Sequence, residues 1–301
     1  MDVPVVYSAR YGMDIGPHVF PTRKYRLVYE RLLEIGTVLG PDVVDPLPAA
    51  WEELGRVHGA DYLSRMRLGE LTAEDVAQLE LPWSAEMVDG FRTMVGGTIA
   101  AATLAVFDAP RRRAVHIGGG LHHAFPNHGE GFCPFNDVAV AIEILKTKGM
   151  KRAAVIDLDV HHGNGTAFIF NGRSPSDEVF TFSMHQQHNY PMWKPASSLD
   201  IGLADGVHDE TYLEKLRGAL PQVMASRPQC VFYLAGADPY EDDQLGGLGL
   251  TRAGLATRDR MVIDAVTAAA VPLVVVLAGG YARRVEDTVA IHVATIEMAV
   301  S

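Results

Sequence analysis

"RAAVIDLDVHHGNG", Arg152–Gly165, decides how this chain is read. It joins an apolar run, Ala153–Ile156, to two aspartates and two histidines: Asp157, Asp159, His161 and His162. Continuous hydrophobicity means burial on both faces, the mark of a strand inside a parallel sheet. Ionisable groups directly after such a strand fall where open α/β sheets hold their ligands, beyond the strands' carboxyl ends.

The same pattern recurs along the chain. "VPVVYS" from Val3, "RAVHIG" from Arg113, "VFTFSMH" from Val179, "CVFYLAG" from Cys230 and "PLVVVLAGG" from Pro272 are all too apolar to alternate. Helical patterns lie between them: "KYRLVYERLLEIG" ending at Gly36, "AEMVDGFRTMVGGTIAAATLAVF" ending at Phe107, and "NDVAVAIEILKTKG" with Asn136 or Asp137 as N-cap. "DETYLEKLRGALPQVMAS", "TRAGLATRDRMVIDAVTAAA" and "RRVEDTVAIHVATIEMA" come after them. This alternation predicts an α/β fold, a parallel β-sheet flanked by helices on both faces. No linker, repeat or low-complexity tract interrupts it, so residues 1–301 are expected to form a single domain.

Composition narrows the classes. With 48% hydrophobic and 21% charged residues the chain is globular. A net charge of −11 argues against a nucleic-acid partner, which calls for a basic face. It permits a cationic substrate, although a solvated acidic surface explains it as well. Cys133 and Cys230 are too few for a disulfide framework, and "MDVPVVYSARYGMDIG" lacks the order of a secretion signal. Ala265–Gly280, read as the most apolar stretch, is too short to span a bilayer and contains Pro272. A cytoplasmic location with no membrane partner is expected; oligomeric state is left open.

Chemistry collects at the strand ends. After "RAVHI" stand Gly118–Gly120 and His122-His123; after "RAAVI", Asp157 to His162; after "CVFYLAGA", Asp238; after "VVVLA", Gly279-Gly280-Tyr281. Six of the twelve histidines lie between His116 and His162, which chance spreading does not give. Singly, a His-His pair is an ordinary core or surface feature, an Asp-x-Asp an ordinary turn and a Gly-Gly-Gly a tight turn. Together at one sheet edge they describe a site. Asp159, His161 and Asp238 supply one nitrogen and two oxygen donors, a set suited to a catalytic Zn²⁺ with open positions; Fe²⁺ or Co²⁺ also accepts it.

Five ordered blocks carry a family resemblance: "GGGLHHA", "GEGFCPFNDVAVA", "DLDVHHGNGT", "AGADPYEDDQLGGLGLT" and "LAGGYA", with "PHVFPTRKY" upstream. They resemble the signature blocks of the zinc-dependent histone deacetylase family. That family includes bacterial acetoin-utilisation-type and acetylpolyamine relatives and shares its fold with arginases. The Asn in "HHGNG" and the compact length look closest to the class IV and bacterial single-domain branch.

The resemblance implies an arginase/deacetylase-like fold and a metal-dependent amidohydrolase acting on an acylated amine, above all acyl-lysine of a protein or peptide. Asp159, His161 and Asp238 would bind one Zn²⁺. His123 would be the general base and later acid, with His122 its electrostatic partner held by Asp157. Tyr281 would donate to the oxyanion; its plain alternative is a tyrosine capping a Gly-Gly turn. Many members carry Asp where Asn164 stands, so the group orienting His123 is neutral here and should raise its pKa less. Gly131 and Phe132 match one tunnel wall; Tyr190 or His188 would supply the other. Asp157, Asp159, His161, Ser183 and Met184 match an inner monovalent-cation site, with K⁺ the implied occupant.

Three alternatives stand beside this reading. One is an acetylpolyamine or other small-molecule deacylase. Another is an arginase-like binuclear hydrolase, which needs more carboxylates than Gly163, Pro239 and Tyr240 supply at the corresponding positions. The third is an inactive module that binds acylated ligands.

Overall fold

The computed structural model describes residues 2–171 and 178–301. Its strands are β1 (Val5–Val6), β2 (Val43–Val44), β3 (Arg113–His116), β4 (Ala153–Asp157), β5 (Val179–Gln186), β6 (Leu199–Leu203), β7 (Val231–Leu234) and β8 (Leu273–Val276). They form one sheet in the order β2-β1-β3-β8-β7-β4-β5-β6, and every pairing is parallel. The helices are α1 (Arg23–Glu34), α2 (Trp51–Leu54), α3 (Ala60–Leu68), α4 (Ala73–Leu79) and α5 (Ala85–Thr103). They continue with α6 (Asp137–Thr147), α7 (Asn164–Asn171), α8 (Asp209–Ala225), α9 (Arg252–Ala268) and α10 (Val285–Val300). Helices α5, α6 and α7 pack together, while α1, α10, α9 and α8 pack in a row, so the sheet is sandwiched.

The six apolar runs are the six inner or near-inner strands. Every residue of β4, β7 and β8 is buried, as continuous hydrophobicity requires. The edge strands β2 and β6 carried no such signal: β6, "LDIGL", alternates between half-buried and exposed residues before its buried Leu203, and β2 is two residues long. β5 runs one residue past the "VFTFSMH" stretch, to Gln186.

Helix α6 begins where expected, with Asn136 rather than Asp137 as the cap: Asn136 Oδ1 accepts the Ala139 N–H at 3.0 Å. Asp137 does something else. Its carboxylate accepts the N–H groups of Gly120 (3.0 Å) and Leu121 (2.7 Å), fixing the loop that leads into His122. Among the described residues one helical segment, Ala85–Asp108, is long and apolar enough to cross a membrane by length and composition; Ala265–Gly280, as expected, is not such a helix. Here α5 packs against α6, β3 and β8, and most of its apolar window is buried in the protein.

Helix α4, too short to announce itself by an apolar period, matters to the site because its last carbonyls hold a loop. Gln78 and Leu79 accept the N–H groups of Gly131 (3.1 Å) and Phe132 (3.0 Å). At the other end, Thr72 and Asp75 form a reciprocal capping box, and Arg65 donates two hydrogen bonds of 2.9 Å to Asp75. The Arg65 guanidinium, aided by Thr72 and opposed by burial, holds the Asp75 carboxyl down at about 2. A depressed folded-state pKa stabilises above the unfolded value and is lost as pH falls through the folded one. Asp75→Asn should therefore lower the denaturation midpoint at about pH 6, with the gap to the native chain closing toward about pH 2. A gap that does not change with pH would contradict this account.

Candidate active site

The four chemistry-bearing strands β3, β8, β7 and β4 are neighbours in the sheet and point the same way. Their register sets His116 beside Val276, Val276 beside Leu234 and Leu234 beside Asp157, so the four chains leave the sheet level with one another. At the ~4.8 Å spacing of adjacent strands, the loops beyond them meet over one small area. The sheet continues briefly as loop pairing: Leu277 and Ala278 donate to Gly118 and Gly119, and Ala237 donates to Gly279.

Asp159, His161 and Asp238 converge there, each buried, with one donor atom from each inside a 4.8 Å cluster. His161 Nδ1 lies 3.0 Å from Asp159 Oδ1 and 3.4 Å from Asp238 Oδ2. The backbone holds the opposite faces of both carboxylates. Val160 N–H donates to Asp238 Oδ1 (2.9 Å), and Gly279 N–H to Asp159 Oδ2 (2.8 Å). Asp238 Oδ2 has no hydrogen-bond partner despite complete burial; the 3.4 Å approach of His161 is an ion-pair distance without hydrogen-bond geometry. A bare buried carboxylate oxygen costs several kcal/mol unless a cation meets it. Burial and the neighbouring Asp159 push Asp238 up to about 7, while His122 and His161 overcome burial to hold Asp159 well below the carboxylate range. The donor set and the orphaned oxygen fit a divalent metal with positions to spare.

Beside this cluster the paired histidines face each other, His122 Nε2 to His123 Nε2 at 3.1 Å. Asp157 Oδ2 accepts from His122 Nδ1 at 2.7 Å, and Asn164 Oδ1 lies 2.7 Å from His123 Nδ1. Burial works against charge on both rings. At His122 the carboxylates of Asp157 and Asp159 outweigh it and raise the imidazole to about 9. At His123, with a neutral amide as partner and His122 and His161 nearby, the pKa falls well below the usual range.

A cavity of about 180 Å³ opens over these groups, lined by His123, His161, Phe132, Tyr190, Tyr281 and Gly131 among others. Tyr190 stands edge-on to His123, with ring centroids 5.1 Å apart, whereas His188 is exposed and off the lining. The opposite wall is Phe132, 6.1 Å from the Tyr281 ring. Gly131 and Phe132 both adopt left-handed backbone (φ +50° and +66°). The glycine is demanded by space as well, since a Cβ there would sit 2.8 Å from His123 and 3.0 Å from Tyr190. For Phe132 the conformation is strained, of the kind that accumulates at ligand sites. Burial, then Asp159 and Asp238, drive the Tyr281 pKa well up, so its hydroxyl keeps its proton. Asp157 and Ser183 pair across β4 and β5, and Met184 is the next residue of β5.

A histone deacetylase domain model matches residues 18–296. The chain belongs to the histone deacetylase family. Relatives include an uncharacterized protein of Picosynechococcus, 42% identical over 97% of this chain and 96% of that protein. The acetoin utilization protein AcuC of Bacillus subtilis is 33% identical over 83% of this chain and 70% of its own length. Histone deacetylase 2 of Arabidopsis thaliana is 30% identical over 95% of this chain and 78% of its own length. The crystal structure of the HDA15 HD domain superposes with a TM-score of 0.81, 24% identity and coverage of 98% of this chain and 87% of that one, so the fold is the deacetylase fold. These relatives support a deacetylase hydrolase.

Within this family fold the sequence-expected residues His122, His123, Asp157, Asp159, His161, Asn164, Asp238, Tyr281, Gly131, Phe132 and Tyr190 meet around one cavity and its floor. Three neighbours were not read from sequence. Asp243 accepts the Tyr281 N–H at 2.7 Å; Lys24, fully buried, donates to the Ala278 carbonyl at 2.8 Å; Glu130 accepts from Asn164. The motif blocks that contain them were legible, but which member reaches the site depends on loop geometry. Gly279 shows how tight that geometry is: a Cβ there would meet Asp238 Oδ2 and Asp159 Oδ2 deep inside van der Waals contact. Gly279→Ala should cost about 1–3 kcal/mol of stability from overpacking, read as a lower urea midpoint. An unchanged midpoint would mean the two carboxylates are not packed against this loop.

Proposed function

We propose that this chain hydrolyses the amide of an acylated lysine in a protein or peptide, with one Zn²⁺ held by Asp159, His161 and Asp238. The observation that carries the reading is the unpartnered, fully buried Asp238 Oδ2 in a cluster with Asp159 and His161, the last of which lines the cavity. A zinc ion held there by Asp159, His161 and Asp238 would supply Lewis-acid chemistry, polarising the carbonyl and lowering the pKa of the attacking water.

The chain's own groups divide the remaining work. Phe132 and Tyr190 pack on the methylene stem of the lysine, and the Gly131 carbonyl faces the leaving nitrogen. His123 takes the proton of the attacking water and returns it to the departing amine. His122, charged and anchored on Asp157, offsets the negative charge that builds up beside it. The Tyr281 hydroxyl donates to the carbonyl oxygen as it becomes an oxyanion. Asp157, Asp159, His161, Ser183 and Met184 form the inner K⁺ site in this reading, supported by the β4–β5 register that sets Asp157 against Ser183.

An acetylpolyamine is the second substrate class, favoured by Glu80 on the cavity lining, an acidic neighbour for a cationic tail. The binuclear alternative finds less support among the described residues. Asp243, the nearby extra acid, already accepts backbone N–H groups from Leu245, Gly246 and Tyr281.

Zinc-loaded and iron-loaded protein should release the acid from acyl-lysine peptides faster than from acetylpolyamines in a panel of acetyl, butyryl and long-chain substrates. Binding without release from any of them would favour the inactive module. Tyr281→Phe should lower kcat by about 100- to 1000-fold with little change in substrate affinity; equal losses in both would remove the oxyanion role. His161→Ala should no longer retain stoichiometric metal after dialysis. Full retention would mean the ligand set is wrong.

A further inference from the structure

We propose that Glu130 is a positioning residue: by holding the Asn164 amide in one orientation, it fixes which nitrogen of His123 carries the proton. The inference deepens the reading of His123 as general base and rests on that reading for its kinetic consequences.

Glu130 lies on the loop between β3 and α6, with its carboxylate about four-fifths shielded from solvent. Its Oε1 accepts from Asn164 Nδ2 at 2.6 Å and from the Tyr190 hydroxyl at 3.0 Å, and its Oε2 lies 3.3 Å from His128 Nε2. An ionised carboxylate can only accept. Asn164 must therefore turn its NH₂ toward Glu130, which leaves the carbonyl Oδ1 facing His123 Nδ1 at 2.7 Å. A carbonyl oxygen also only accepts, so the hydrogen between them belongs to Nδ1, and Nε2 of His123 carries the lone pair.

The chain of contacts closes from the other side. Asp157 Oδ2, 2.7 Å from His122 Nδ1, likewise requires a hydrogen on that nitrogen. The 3.1 Å contact between the two Nε2 atoms needs one hydrogen, and with a lone pair on His123 it comes from His122. In this pattern His123 carries its one ring hydrogen on Nδ1, and Nε2 is its unprotonated nitrogen, next to His122.

Asn164 alone could not impose this. It is 1% exposed, and its side chain has two hydrogen-bond partners, His123 and Glu130. Without an acceptor-only group behind it, the amide can rotate by half a turn and present NH₂ to His123 Nδ1. That orientation moves the hydrogen to Nε2 and blocks the base. The neutral residue at 164 is therefore backed by a carboxylate one side chain further out.

Two readouts test the proposal on zinc-loaded protein. In ¹⁵N-histidine NMR, the native chain should show His123 as the Nδ1–H tautomer; an Nε2–H tautomer there would overturn the proposal without any variant. Glu130→Gln, whose amide can donate or accept, should give a mixture of tautomers, while Glu130→Asp, still acceptor-only, should keep the native one. With an acetyl-lysine peptide, E130Q should lower kcat by about 10- to 100-fold, the usual loss when an outer hydrogen-bond partner is removed, with KM within about two-fold. In an N164D background the same E130Q change should leave kcat unchanged or raise it, because two carboxylates would otherwise face each other across that contact. E130Q lowering kcat equally in both backgrounds, or leaving the tautomer pure, would reduce Glu130 to a structural role. Should no substrate turn over, the functional reading fails while the NMR result still decides the Glu130 question.

Discussion

Two carboxylates, Asp159 and Asp238, are buried side by side with a single imidazole between them, and much of the local structure exists to make that tolerable. Like charges in a low-dielectric interior repel by several kcal/mol unless hydrogen bonds and a cation compensate. Backbone N–H groups from Val160, His161 and Gly279 supply part of that compensation. They come from the loops after β4 and β8, which is why the two strands must end level. The remaining demand, centred on Asp238 Oδ2, is for a positive ion.

From that demand the rest of the site builds outward. Gly279 is small because the carboxylates press against it, and the loop it belongs to is tethered at Ala278 by Lys24 and at Tyr281 by Asp243. Burial costs Lys24 much of its basicity, lowering it to about 8 against the pull of Asp238 and Asp159. Its ammonium lies over the Phe20, Tyr25 and Tyr281 rings at 5.3–5.6 Å, a cation–π setting that eases that cost. On the opposite side, the last carbonyls of α4 hold Gly131 and Phe132 in left-handed backbone, strained only at Phe132. The Phe132 wall of the cavity is therefore positioned by a helix, α4, that takes no part in the proposed chemistry.

The sequence made the inner strands and the residues at their ends legible for a simple reason: a strand buried on both faces leaves an unbroken apolar run, and the residues just beyond that run lie at the sheet edge. Edge strands β2 and β6 lack such a run, and α2, α3 and α4 are short segments without a long apolar period. Helix α7 begins inside the polar "HHGNG" block, where attention falls on the side chains rather than on the backbone. Tyr190 and Phe132 were readable as walls by resemblance. Glu130 was not, because its place in the site depends on Asn164 reaching back to it across 34 positions of sequence. Asn164 read in isolation looked like a lost charge. In three dimensions the charge has moved one side chain away.

Anomalous diffraction at the zinc edge from crystals of the zinc-loaded protein tests the central claim most directly. The account predicts one peak in the cavity floor, within about 2.0–2.2 Å of His161 Nδ1 and one oxygen each of Asp159 and Asp238. Two peaks in that floor, or a single peak bound elsewhere with Asp238 Oδ2 still bare, would contradict it.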